Sequence, residues 1–157
     1  MHDTRIDIQK DARITLCKLL NERLADSIAM SLNAKHAHWN VKGANFIALH
    51  ELFDKIAAMH IEQSDEIAER ITALGGTANG VVSALATSTL KDYPSDAFSG
   101  QAQVTALADK MAIFAKLVRD ASRAAGELND EDTADLFTGV SRDVDKHLWF
   151  LEAHLQA

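Results

Sequence analysis

Apolar residues recur along most of this chain at three- and four-residue intervals, the spacing of one face of an α-helix. From about Asp7 to Trp39, the residues Leu16, Leu20, Leu24, Ile28 and Leu32 follow one another at i+4, with Ile14, Leu19 and Met30 beside them. A strand repeats every two residues and cannot generate that stripe. Residues 40–45 contain Gly43 and interrupt it. A second helix is predicted from about Asn45 to Leu74, carried by Phe46, Leu49, Phe53, Ile56, His60, Ile67, Ile71 and Leu74 and stopped by Gly75-Gly76. A third spans about Asp96 to Ala125, with Val104, Leu107, Met111, Phe114, Leu117, Val118 and Ala121 as its stripe and Gly126 at its end. A fourth starts near Asn129, a residue type suited to an N-cap, and runs through Leu136, Val140, Val144, Leu148, Leu151 and Leu155. Between the second and third lie residues 75–95, richer in Gly, Ser and Thr, where Val81–Leu85 has room for one short helix.

Four helices joined by two short links and one long crossover predict an all-α, ferritin-like four-helix bundle, with a short helix in the crossover between the second and third helices. Residues 9–157 form that one domain, behind a short N-terminal tail of residues 1–8. Composition agrees: 47% of the 157 residues are hydrophobic and 25% charged, which is ordinary for a globular chain and excludes a low-complexity one. A single cysteine, Cys17, excludes an internal disulfide framework and a cysteine-only zinc site, fits a reducing cytoplasm, and reads as a small buried hydrophobe. No run approaches the ~18 apolar residues of a membrane span, and the N-terminus lacks the apolar stretch of a secretory signal. The formal charge of −7 makes the surface a poor partner for nucleic acid and a good one for cations.

The chemistry concentrates on the second helix. At ~100° per residue, His50, Asp54, Asp65 and Glu69 fall within roughly 100° of one another, on a flank beside the apolar stripe. Ala57, Ala58, Ile61 and Ala68 share the flank. Imidazole nitrogen with carboxylate oxygen suits iron, manganese or zinc. His50/Asp54 and Asp65/Glu69 are each i,i+4 pairs able to converge on one point. The two pairs are nevertheless roughly 22 Å apart along the axis, whereas metal–ligand bonds are ~2.0–2.3 Å. An antiparallel copy of the same helix, crossing near Ala57–Ala58, would bring His50 and Asp54 of one chain to Asp65 and Glu69 of the other, giving two identical sites per two-fold dimer. His38, one short loop away, reaches the His50 end. The plain alternative is a solvated acidic face with incidental histidines.

The stretch Lys35–Gly76, KHAHWNVKGANFIALHELFDKIAAMHIEQSDEIAERITALGG, closely resembles the signature of the Dps mini-ferritins (DNA-binding proteins from starved cells). The resemblance continues through Lys91–Pro94, Asp132–Asp135 and Ser141–His154. It implies a ferroxidase and iron-storage protein: a hollow homododecamer that oxidises Fe(II), with hydrogen peroxide preferred to oxygen, and keeps Fe(III) mineral in its cavity, protecting the cell and its DNA from oxidative damage. It implies metal ligands His38, His50 and Asp54 from one subunit and Asp65 and Glu69 from its two-fold mate. Trp39 resembles the family's tryptophan beside the iron site, an electron donor or radical trap; core packing is its bland role. Asp130, Glu131, Asp132 and Asp135 would line an acidic three-fold pore, where dipole compensation is the plain alternative. Arg70 and Asp145 resemble a salt bridge near that pore. The implied location is the bacterial cytoplasm or nucleoid.

Two readings compete with this one. The first is a nucleoid-binding structural protein with DNA compaction as its main role. It is weakened by the termini, because the first ten residues set Arg5 and Lys10 against Asp3 and Asp7 and the last six carry no lysine or arginine. The second is a di-iron protein with its site inside one subunit. It needs Glu-x-x-His motifs, which the chain lacks. His36, His60, His147 and His154 lie on or near the apolar stripes and read as packing histidines.

Overall fold

A computed structural model describes residues 1–156. Its helices are α1 (Lys10–Asn40), α2 (Phe46–Ala73), α3 (Val82–Leu85), α4 (Gly100–Glu127) and α5 (Glu131–Glu152). Short links fold α1 with α2 and α4 with α5 into two antiparallel hairpins, which pack α1 on α4 and α2 on α5. The crossover leaves the far end of α2 and returns to the α1–α2 link. There Lys42 N–H donates to Phe98 O at 3.0 Å and Gly100 N–H to Lys42 O at 3.1 Å. It therefore runs the length of the bundle, with α3 against α1. The four-helix bundle and its short crossover helix are as the periodicity predicts. No helix among the described residues is long and apolar enough to cross a membrane.

Local chemistry sets the helix ends. After α2, Gly75 N–H donates to Thr72 O and Gly76 N–H to Ile71 O, both at 2.9 Å, the paired bonds of a Schellman stop. Gly75 has φ +85°, and a Cβ on Gly76 would lie 2.6 Å from Cys17 Sγ, so both positions require glycine. The same motif ends α4, and it corrects the predicted start of the last helix. Asn129 occupies the left-handed position (φ 58°) that closes α4 and does not cap α5. The N-cap is Asp130, which accepts from Thr133 N–H at 3.0 Å.

The core is built around Phe53, Phe114 and Phe137 with Leu16, Leu20, Met30, Ile56, Ile67 and Leu107, all fully buried. Cys17 is buried there as expected. The α1 stripe departs from expectation at its ends, where Leu32 is 51% exposed and Ile14 47%. An i+4 series gains about 40° per step, so after four steps it has turned about 160° from Leu16 to the outer face. Polar residues of α1 take inner positions instead and tie down the crossover. Asn21 Nδ2 donates to Thr77 O at 3.1 Å, and its Oδ1 accepts from Asn79 N–H at 2.8 Å. Asn33 Nδ2 donates to Leu90 O at 2.9 Å. Asp26, 1% exposed, pairs with Arg23 at 2.9 Å and accepts from Ser88 Oγ at 2.7 Å. The N-terminal residues also pack: Ile6 and Ile8 touch the core and His2 N–H donates to Gly75 O at 2.6 Å.

His60 and Gln63, one turn apart in α2, are buried with no well-formed hydrogen bond to their side-chain polar atoms among the described residues, and their contact with each other only partly offsets the burial of the imidazole. Burial pushes the His60 pKa down to about 3. The unfolded imidazole titrates near ~6.5, so the native state holds His60 neutral while the unfolded chain takes up a proton below that pH. Neutral His60 therefore costs nothing above about pH 6.5, and stability falls as the pH drops from there toward 3, by at most ~1.4 kcal/mol per pH unit. His60→Leu should flatten this acid limb in unfolding curves recorded across the window. Asp26→Ala, which leaves the buried Arg23 guanidinium only the exposed Glu22 carboxylate at 3.8 Å, should cost about 3 kcal/mol and speed proteolysis within residues 77–90.

Candidate metal centre

The last turn of α1 and the first turns of α2 bring His38 and His50 together. The Gly43 link (φ +115°) reverses the chain between them. His38 Nδ1 lies 2.7 Å from His50 O, and His50 Nδ1 lies 2.9 Å from His38 O. A carbonyl oxygen only accepts, so each Nδ1 carries the proton and donates it. Each Nε2 is then left with its lone pair free. The rings stack with centroids 3.6 Å apart and planes inclined by 20°, and Phe46 lies 5.0 Å from the His50 ring. A histidine whose Nδ1–H is fixed by a carbonyl presents its other nitrogen in the arrangement typical of a metal ligand. The donor set therefore fits a borderline divalent cation such as Fe(II).

Asp54 stands one turn beyond His50 on α2 and is half-exposed. Its Oδ1 forms an ion pair with Lys35 Nζ, from α1. The hydrogen bond from Lys35, and its charge, hold the Asp54 carboxyl below the usual carboxylate range. Sequence reasoning passed over Lys35, although its i+3 relation to His38 places both on one side of α1.

Asp65 and Glu69 are exposed on the other half of α2. Because α2 is one continuous helix, roughly 22 Å of axis separates His50 from Asp65, as the spacing requires. Among the described residues of one chain, no three His, Cys, Asp or Glu side chains meet around a point. Asp65 borders an open groove of about 560 Å³ lined by Leu24, Ile28, Ile61, Ala68 and Ala78. Glu69 borders another, of about 530 Å³, with Glu66, Arg70, Asp135 and Arg142.

The remaining candidates divide. Trp39 is 68% exposed, so the subunit core is not where it packs. It shares an outward line of α1 with Ile14 and Leu32, which are 25 and 7 residues away, close to whole numbers of turns. Ile47 and Ile61 of α2 and Val81 and Val82 of the crossover are exposed as well. Glu131, Asp132 and Asp135 are exposed, but Asp130 is 2% exposed and already engaged. It pairs with Arg70 Nη2 at 2.6 Å while capping α5. Arg70 Nε also donates to Thr133 Oγ1 at 2.9 Å. Within the chain, Arg70 therefore does not pair with Asp145, which instead receives Arg119 Nη1 at 2.8 and 3.1 Å. The reason is axial position. Arg70 and Asp130 meet at one end of the bundle, and Asp145 lies 15 residues, roughly 22 Å, further along α5.

Comparison with known proteins gives a consistent answer. The ferritin-like domain family matches residues 17–157. A DNA protection during starvation protein from Agrobacterium fabrum is 44% identical over 156 residues, covering 99% of this chain and 96% of that protein. A crystal form of Mycobacterium smegmatis Dps superposes with a TM-score of 0.94 at 29% identity, covering 99% of this chain and 95% of the other. The Dps protein of Vibrio cholerae, described as a member of a broad superfamily of ferritin-like diiron-carboxylate proteins, gives 0.91 at 30% identity, covering 99% and 98%.

The Asp130 assignment is testable. Asp130→Asn retains a capping oxygen and removes the charge opposite Arg70, whereas Asp130→Ala removes both. Thermal unfolding should show both variants destabilised, with Asp130→Ala the worse by about 1 kcal/mol, the worth of a typical N-cap.

Proposed function

Because the chain belongs to the Dps family of ferritin-like proteins, we propose that it oxidises Fe(II) at sites shared between two copies and stores the Fe(III) product inside a closed homododecamer. Iron here is substrate and cargo. The observation that carries the reading is the locked His38–His50 pair with both Nε2 atoms free. The exposed apolar line of α1 and its neighbours on α2 and the crossover supports a covering copy.

In this reading His38 and His50 hold Fe(II) through neutral nitrogen, and Asp54 contributes an anionic oxygen. Asp65 and Glu69 of the mate complete the site and favour the harder Fe(III) product. With hydrogen peroxide as oxidant, two Fe(II) ions give up one electron each. The O–O bond breaks and two protons are taken up, releasing two molecules of water. Consuming Fe(II) and peroxide together removes the reactants of hydroxyl-radical formation, which fits protection of the cell and its DNA. Trp39, next to His38 and exposed in the subunit, is placed to donate an electron to a radical formed there. Glu131, Asp132 and Asp135 supply an acidic entrance that concentrates Fe(II). The bacterial cytoplasm or nucleoid is the setting. DNA compaction is the less favoured role, because the first residues balance Arg5 against Asp3 and Asp7 and pack on the bundle.

Complementation tests the shared site. His38→Ala/His50→Ala and Asp65→Ala/Glu69→Ala should each oxidise Fe(II) at least about tenfold more slowly than the natural protein after peroxide addition. Refolded together in equal amounts, they should recover about one quarter of the natural rate. Half of the random dimers are mixed, and each mixed dimer has one intact site of two. Recovery no greater than the two variants give separately would overturn the shared site, and full activity in either variant would overturn these ligands.

A further inference from the structure

We propose that the groove beside Asp65 is a socket for the partner's Leu32, the side chain that fixes how two copies meet. It rests on the shared-site reading and names the contact that sets the register of that site. Within one chain, His38 lies against His50, Lys35 against Asp54 and Ser27 against His60, so the numbers of α1 and α2 residues at one level total about 88. In the shared site His50 and Asp54 of one copy meet Asp65 and Glu69 of the other, so the numbers of facing α2 residues total about 119. The partner's Leu32 is level with about residue 56 of its own α2. It therefore faces about residue 63 of the first α2 and, through the hairpin, about residue 25 of the first α1. The groove occupies that point. Leu24 and Ile28 of α1, Ile61 and Ala68 of α2 and Ala78 of the crossover line its volume of about 560 Å³. Trp39, 7 residues beyond Leu32, falls about two turns past the groove and is not its occupant.

Neither side of this contact is satisfied within the single chain. Leu32 is 51% exposed although it continues the apolar series of α1, and Ile61, on the groove wall, is 57% exposed. Seating one against the other removes both from water. Charge is complementary at the same register. Lys55, exposed on α2, faces about residue 64 of the partner's α2, between the exposed Glu62 and Glu66. Lys55, Glu62 and Glu66 lie within roughly 40° of one another around the helix, so a two-fold operation sets the ammonium of each copy opposite carboxylates of the other. The apolar contact supplies the attraction, and the charges select the register.

The test uses the assembled protein, diluted and followed by native mass spectrometry to obtain the dissociation constant of the pair. Leu32→Ala should raise that constant about tenfold for each of the two leucines in a pair, the factor for losing most of one leucine's burial. Leu32→Met, which refills the groove, should stay near the natural value. Ile113→Ala trims a side chain of similar exposure (46%) on α4 and should change nothing. Lys55→Glu and Glu62→Lys/Glu66→Lys should each pair poorly with themselves, because like charges then face each other. Refolded together in equal amounts, they should give mixed pairs well above the half that random pairing yields. A Leu32→Ala constant no higher than that of Ile113→Ala would overturn the socket, and mixed pairs at half or fewer would overturn the register. Complementation of the ligand variants separates this contact from the reading beneath it. If activity is recovered there while Leu32→Ala pairs normally, the shared site stands and the socket fails. If Leu32→Ala weakens pairing and no activity is recovered, the pairing contact stands and the shared ligands fail.

Discussion

An unbroken α2 is the constraint from which the rest of the molecule follows. Its 28 residues advance in one straight run, so the donors at its start and those near its end are held apart by the rigidity of the backbone. No rotamer change closes that distance. In the proposed reading, histidine and aspartate at one end of the rod and aspartate and glutamate toward the other are two half-sets of ligands, which a two-fold axis across the middle would unite twice. Ala58, between the half-sets, is exposed and small enough to let a second rod approach, whereas Ala57, expected at the same crossing, is buried in the bundle's own core. In that reading, assembly and chemistry become two consequences of one geometric fact.

The bundle supports the rod through its least hydrophobic helix. Along α1, Arg23, Asp26, Ser27 and Asn33 are all buried. Ser27 Oγ donates to the His60 carbonyl on α2 at 3.0 Å, and the others bind the crossover or one another. A long loop lying on a bundle has many backbone groups that ladders do not satisfy, and α1 satisfies them from the side. The burial of charge at Arg23 and Asp26 is tolerable because each has the other and Asp26 has Ser88 as well.

The helical stripes, the Gly75-Gly76 stop and the four-helix arrangement were legible in the sequence because each depends on local periodicity or a local backbone requirement, whereas Gly126, expected to end its helix, lies inside α4. So was the separation of the His50/Asp54 and Asp65/Glu69 pairs along α2, since residue spacing on a helix converts directly to distance. Other features were not. Leu32 continued a numerical series that the 3.6-residue turn carries off the core. Asn129 looked like a cap because asparagine suits both a cap and a left-handed stop, and only the register of α4 decides between them. Asp130 read as one of several surface acids, yet its place opposite Arg70 depends on two helices meeting 60 residues apart in sequence. The Lys35–Asp54 pair has the same character, a cross-helix contact that no single stripe announces.

The mutual tie between His38 and His50 has a consequence for how these positions can vary. Each ring is oriented by the other residue's carbonyl, and each is one face of the stack. Replacing one imidazole leaves the backbone carbonyl that oriented it unoccupied and removes the stacking surface of its neighbour, so the survivor loses its fixed aim. The two residues therefore form a single structural unit. Neither ring keeps its aim without the other, so the geometry of the pair is set by both ends of the link between α1 and α2.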